Sequence, residues 1–180
     1  MTVLIIYSTI EGQTGKIANF VADRVRDAGE EVRLLDADET EEAEFADVDK
    51  AVLAAPVHER RHPRAFEAFL TAHAKDLQAR PTLLLSVSLN AAFPEGMEEA
   101  LDYVTEMTMR TRLEPTATVL VPGAIRGGAY DYYSQQVLKH VVLGDRDVDP
   151  SEVTEHEFTD WNILAAKVTS FLSNAEAVEA

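Results

Sequence analysis

The 180-residue chain contains no cysteine, so disulfides, thiolate metal sites and cysteine nucleophiles are excluded. Lysine is scarce, with five against eleven arginines, and these sixteen basic residues face thirty-two acidic ones for a net charge of −16. That balance argues against nucleic acid and against electrostatic attachment to an anionic membrane surface. Long hydrophobic runs are missing too. Nothing approaches the roughly 18–20 apolar residues of a membrane-spanning helix, and the short apolar start lacks the basic leader of a secretory signal. A cytoplasmic address is the expectation. An acidic, lysine-poor surface repels itself in dilute buffer and is screened in concentrated salt. A halophilic source is therefore expected.

What is present is a globular pattern, with 46% hydrophobic residues and no internal repeat or low-complexity tract. Apolar segments at 3–7, 31–35, 50–55, 82–87 and 117–121 predict five strands. All but the second are continuous, as for strands covered on both faces of a parallel sheet; "EEVRLLD" alternates with charge and suits an edge. Helical periodicity fills the intervals. The first helix shows Ile17, Phe20, Val21, Arg24, Val25 and Ala28 on one face before Gly29. The second starts at Pro63 and carries Phe66, Phe69, Leu70, His73 and Leu77. A weaker third stripe is Met97, Leu101, Val104 and Thr108. The last begins at "TDW", with Thr159 as N-cap and Trp161, Leu164, Val168 and Phe171 facing inward. Alternating strands and helices predict one open α/β domain over residues 1–175. Between the fifth strand and the last helix lies an insertion at about 123–158, longer than an ordinary connection. Tyr130, Tyr133, Val137, Leu138 and Val141 predict a short amphipathic helix within it.

The loop after the first strand holds Ser8, Thr9, Ile10, Glu11, Gly12, Gln13 and Thr14. In such sheets ligands bind beyond the carboxyl ends of the strands, where a helix N-terminus offers unpaired N–H groups to an anion. Hydroxyls at Ser8, Thr9 and Thr14 can add donors. Neither G-x-x-x-x-G-K-S/T nor G-x-G-x-x-G is present, so the two familiar nucleotide fingerprints are excluded. A phosphate cradle and a plain capped turn both suit this loop. Residues 58–62, "HERRH", match the zinc-protease motif literally. That chemistry needs both histidines on one helical face, whereas here they follow a strand and Pro63 disfavours helix at His62. No metal site is expected.

The pieces "YSTIEGQTGKIA", "RAFEAFLTAHAKDL", "SVSLNAA", "PGAIRGGAYDYY" and "FTDW", in this order over nearly the whole chain, resemble the menaquinone-dependent protoporphyrinogen IX dehydrogenase family, flavodoxin-like enzymes of haem synthesis. The resemblance implies an α/β flavodoxin-like three-layer fold. Its five-stranded parallel sheet has the order 2-1-3-4-5, with the long insertion after strand five. It implies FMN, with phosphate contacts at Ser8, Gly12, Gln13 and Thr14 and backbone from Thr9, Ile10 and Glu11. The flavin ring is then expected between Pro56, Val57 and His58 after strand three and Ser88, Leu89 and Asn90 after strand four. Gly123, Ala124 and Arg126 complete the pocket.

The implied partners are a tetrapyrrole with two propionates and a quinone. Arg60, Arg61 or Arg64 would meet substrate carboxylates and His58 or His62 would move a proton, or all five are merely solvated loop charges. No catalytic residue is assigned. In this family the insertion is basic and aromatic. Here it keeps Tyr132 and Tyr133 but carries Asp131, Asp145, Asp147 and Asp149, so any peripheral contact with the inner face of the membrane is expected to be hydrophobic. The competing readings are a flavodoxin-type electron carrier and another quinone- or NAD(P)H-linked flavin reductase. Carriers commonly stack aromatic rings on the flavin and place a glycine in the third-strand loop. "APVHERRH" has neither, which favours an enzyme.

Overall fold

Alternation along the strands decides the layers. In β1 (Thr2–Tyr7), Val3 and Ile5 point to one side while Leu4 and Ile6 point to the other, and all four are buried. The computed structural model, which describes residues 1–126 and 155–173, repeats this in β3 (Lys50–Pro56) and β4 (Thr82–Ser88). With β2 (Glu31–Asp36) and β5 (Ala117–Pro122) they form a parallel sheet of order β2-β1-β3-β4-β5. The alternating segment does lie at an edge. β5 holds the other edge, and only Val121 is buried in it, although its run of apolar residues predicts a strand covered on both faces.

One face packs against α1 (Gln13–Asp27) through Ile17, Val21 and Val25, and against α5 (Trp161–Ser173) through Leu164, Val168 and Phe171. The opposite face is covered by Phe66, Phe69 and Leu70 of α2 (Arg64–Ala72), Leu77 of α3 (Ala74–Gln78), and Val104 and Met107 of α4 (Met97–Thr111). The single helix expected from Pro63 to Leu77 is two, broken at His73. That imidazole packs on Phe69 and Phe45 and its Nε2 sits 2.9 Å from the Glu41 carbonyl.

Two further expectations need correcting. Met97 and Leu101 are exposed, because α4 turns Ala100, Tyr103, Val104, Met107 and Thr111 inward instead. The N-cap of α5 is Asp160, whose carboxylate accepts from the N–H groups of Asn162 and Ile163, both at 3.0 Å. Thr159 is occupied otherwise, donating to the Pro122 carbonyl at 2.7 Å. Beyond β5, β6 (Ala124–Arg126) pairs antiparallel with β7 (Glu155–Glu157), so the two ends of the insertion are held together as a ribbon. The predicted amphipathic helix, and Asp131, Tyr132, Asp145, Asp147 and Asp149, lie outside the described residues. No helix among the described residues is long and apolar enough to cross a membrane.

Candidate functional site

The parallel register brings the carboxyl ends of β1, β3, β4 and β5 to one edge, with Tyr7 beside Ala54, Pro56 beside Val87 and Ser88 beside Pro122. The loops leaving these strands converge on a cleft. About 860 Å³ of non-atom space lies within it, open solvent at its mouth included.

Gly12 is the N-cap of α1 with φ +88°, and a side chain there would strain the backbone even though the space around it is open. Its N–H donates to Thr9 Oγ1 at 3.1 Å, which folds the loop back on itself. No acidic residue of α1 itself stands in its first turn. Thr9, Ile10, Glu11, Gln13 and Thr14 line this side of the cleft. Ser8 does not. It is wholly buried, and its hydroxyl donates to Asp38 Oδ2 at 2.6 Å. A hydroxyl has one proton to give, so in this arrangement Ser8 holds the loop to the segment after β2.

Gln13 has a second task. Its side-chain amide donates to Glu157 Oε1 and Thr159 Oγ1, both at 2.9 Å, tying the start of α1 to the returning strand β7. Glu157 also accepts from Lys16 at 2.7 Å and Trp161 at 2.9 Å. The Lys16 ammonium, against the opposing effect of burial and with help from Trp161 and Gln13, holds this carboxyl down at about 2.

The opposite wall comprises Pro56, Val57 and His58 after β3, Ser88, Leu89 and Asn90 after β4, and Gly123 and Ala124 after β5. Arg126 is not among the lining residues; its backbone pairs with Glu155 in the ribbon. Residues 58–61 form a tight turn closed by two backbone bonds between His58 and Arg61, with Glu59 and Arg60 at φ +49° and +66°. Such left-handed residues are uncommon outside glycine and asparagine. Glu99 at the start of α4 ties this turn to the next loop, since Arg60 donates to one carboxylate oxygen and Asn90 to the other.

Glu59, Arg60, Val87 and Tyr103 also line the cleft, beyond the expected cofactor set. Tyr103 belongs to the inward face of α4, hidden in the sequence by the more conspicuous Met97 and Leu101. A glycine-free turn signals nothing about Glu59.

The arginines and histidines divide. His58 and Arg60 face the cleft, whereas Arg61 and Arg64 lie on the far side of the turn. His62 is buried, with Nε2 3.0 Å from Ser86 Oγ, and burial pushes its pKa down to about 4. It does not line the cleft, so it is not the proton-moving group there. Nor do residues 58–61 form a helix that could present two histidines on one face.

Comparison with known proteins gives a family, a sequence relative and structural neighbours. A sequence family described as the flavodoxin domain matches residues 4–150. Protoporphyrinogen IX dehydrogenase (quinone) of Escherichia coli strain K12 is 27% identical over 169 residues, which is 92% of this chain and 91% of that protein. Oxidised flavodoxin 1 from Bacillus cereus superposes with a TM-score of 0.60 at 16% identity, covering 98% of this chain and all of that one. A flavodoxin variant from Fusobacterium nucleatum bound to flavin mononucleotide gives 0.52 at 13% identity, covering 96% and 94%. At these identities the two structures speak for the fold alone.

Proposed function

The chain belongs to the flavodoxin domain family, and from that premise we propose that it is an FMN-dependent oxidoreductase that oxidises protoporphyrinogen IX with a quinone acceptor. The observation that carries the flavin reading is the convergence of four strand-end loops on one cleft beside the N-terminus of α1. The substrate is taken from the similar E. coli protein.

The residues present fit the cofactor. The backbone N–H groups opening α1 and the hydroxyls of Thr9 and Thr14 hold the phosphate, while Ser8 and Gln13 brace the loop through Asp38, Glu157 and Thr159. Pro56, Val57 and Leu89 shield the ring from water, and Gly123 and Ala124 close its edge. Bound FMN supplies two-electron redox chemistry. His58 offers the ring nitrogen that takes a proton from the substrate, and Arg60 draws an anionic substrate to the mouth of the cleft. A flavodoxin-type carrier is less well supported. The turn at 58–61 has no glycine, and Tyr103 is the only tyrosine, tryptophan or phenylalanine among the described lining residues. We read residues 1–175 as one domain in the cytoplasm, touching the inner face of the membrane where the quinone is met.

The test is anaerobic. FMN-loaded protein in high salt receives protoporphyrinogen IX and a menaquinone analogue, and porphyrin fluorescence is followed against an FMN-free control. Flavin-dependent porphyrin formation is expected. A rate no higher than the control would discard this substrate and leave a carrier or a reductase of another molecule; failure of the apoprotein to quench flavin fluorescence on titration would discard the cofactor.

A further inference from the structure

The turn at 58–61 separates two depressions. Beyond it, away from the cleft, lies a shallow basin lined by Arg61, Arg64 and Thr71 with Arg110 of α4, around the carboxylate of Glu67. We propose that this basin is a second binding site, for a small doubly charged oxyanion: a pair of carboxylates or a phosphoryl group.

Glu67 is the organiser. Its side chain is only 6% exposed, yet it accepts from two guanidiniums. Arg61 donates to Oε2 through Nη2 at 2.6 Å and Nε at 3.2 Å. Arg110 donates through Nη2 at 2.8 Å to Oε1 and through Nε to both oxygens. Burial alone would raise this carboxyl, but Arg110 and Arg61 together hold it below the usual range.

One arginine would neutralise one buried carboxylate. The second guanidinium is shared with Glu106 at the rim, so Arg61 and Arg110 balance the two carboxylates, and each guanidinium has more N–H donors than Glu67 uses. Arg64 adds a third cation, exposed and with no ion-pair partner among the described residues. Among the described residues the only other carboxylate bonded to these arginines is that of Glu106, 58% exposed at the rim, which accepts from Arg110 Nη1 at 3.2 Å. His62 adds no charge, since burial keeps it neutral near pH 7.

A locally positive basin is conspicuous in a chain of net charge −16. A structural ion pair joining α2 to α4 would not need Arg64, nor two arginines on Glu67. Planar forks set side by side suit an oxyanion that can bridge them, better than a spherical halide. Because the protein as a whole repels anions, saturable binding of a dianion reports a built site and not a diffuse atmosphere.

The test uses malonate and inorganic phosphate as probes, titrated into the full chain in low-chloride buffer and followed by calorimetry and by the arginine Nε–Hε NMR signals. Saturable one-to-one binding is expected, with shifts confined to Arg61, Arg64 and Arg110. Arg64→Ala should weaken it roughly tenfold or more, the scale of one charge-assisted hydrogen bond. Arg64→Lys should restore part of it. Arg26→Ala, which removes an arginine paired with Asp23 elsewhere on the surface, should change nothing. Preference for malonate would mark a carboxylate-bearing molecule as the source, and preference for phosphate a phosphoryl compound. No saturable binding of either probe, or equal binding by Arg64→Ala, would overturn the site. The result is independent of flavin, so it stands or falls apart from the function proposed above.

Discussion

His62 shows how far a residue's surroundings can redirect its chemistry. In the sequence it completes a metal-binding motif beside three arginines. In the fold it is a neutral core side chain facing Ser86, with Glu67 and Arg110 as charged groups acting on it. Its pKa of about 4 lies below the ordinary 6.5, so between those values the unfolded chain binds a proton that the folded one refuses. Stability from this group is complete above pH 6.5 and declines as the pH falls toward 4, by at most about 1.4 kcal/mol per pH unit. Urea midpoints of the native protein and of His62→Gln, compared from pH 7 to 4, should converge over that window. Parallel curves would mean that His62 titrates normally. Glu157 acts in the same direction at lower pH. Its carboxyl is held at about 2, so the contribution of the strap between α1 and β7 is complete above the ordinary carboxylate pKa and is lost as the pH falls from there toward 2.

At the scale of elements, the loop after β4 depends on a close backbone approach. Two short 3-10 turns, Asn90–Ala92 and Pro94–Gly96, fold the chain back before α4 begins. A Cβ on Gly96 would lie 2.4 Å from the Asn90 carbonyl oxygen and 2.9 Å from its Cα. Both are backbone atoms that cannot swing aside. Gly96→Ala should therefore cost about 1–3 kcal/mol, the usual range for overpacking, and should displace Asn90 and with it the ring side of the cleft. Flavin affinity, read by fluorescence quenching, is expected to fall together with the thermal midpoint. A variant with unchanged midpoint and affinity would show that this loop moves freely. The strap from β7 is the other element that matters to the cleft. Through Gln13 it fixes the start of α1 from a strand more than a hundred residues away.

For the whole molecule the governing quantity is charge. Thirty-two acidic residues against sixteen basic ones leave self-repulsion that ions can screen. Exposed ion pairs such as Arg24–Asp27 and Arg26–Asp23 offset little of it. The unfolding midpoint should rise steadily from low to multimolar potassium chloride. A midpoint that falls or stays level would remove the halophilic reading. The same screening should weaken the basin's hold on dianions, so that measurement belongs at low salt.

The strands and their order of appearance and the inward faces of α1 and α5 were legible in the chain, because burial on both faces of a sheet and helical periodicity are local patterns. The resemblance in scattered motifs added the strand order and the loops that meet at the cleft. Tertiary structure alone decided the rest. It took Ser8 out of the cleft and gave its hydroxyl to Asp38, brought Tyr103 in, and broke the second helix at His73. It set Arg60 on one side of a turn and Arg61 on the other, and gathered Arg110 beside Arg61 around Glu67. These outcomes depend on partners distant in sequence, whose hydrogen bonds and charges have no periodic signature, so only packing could select among them.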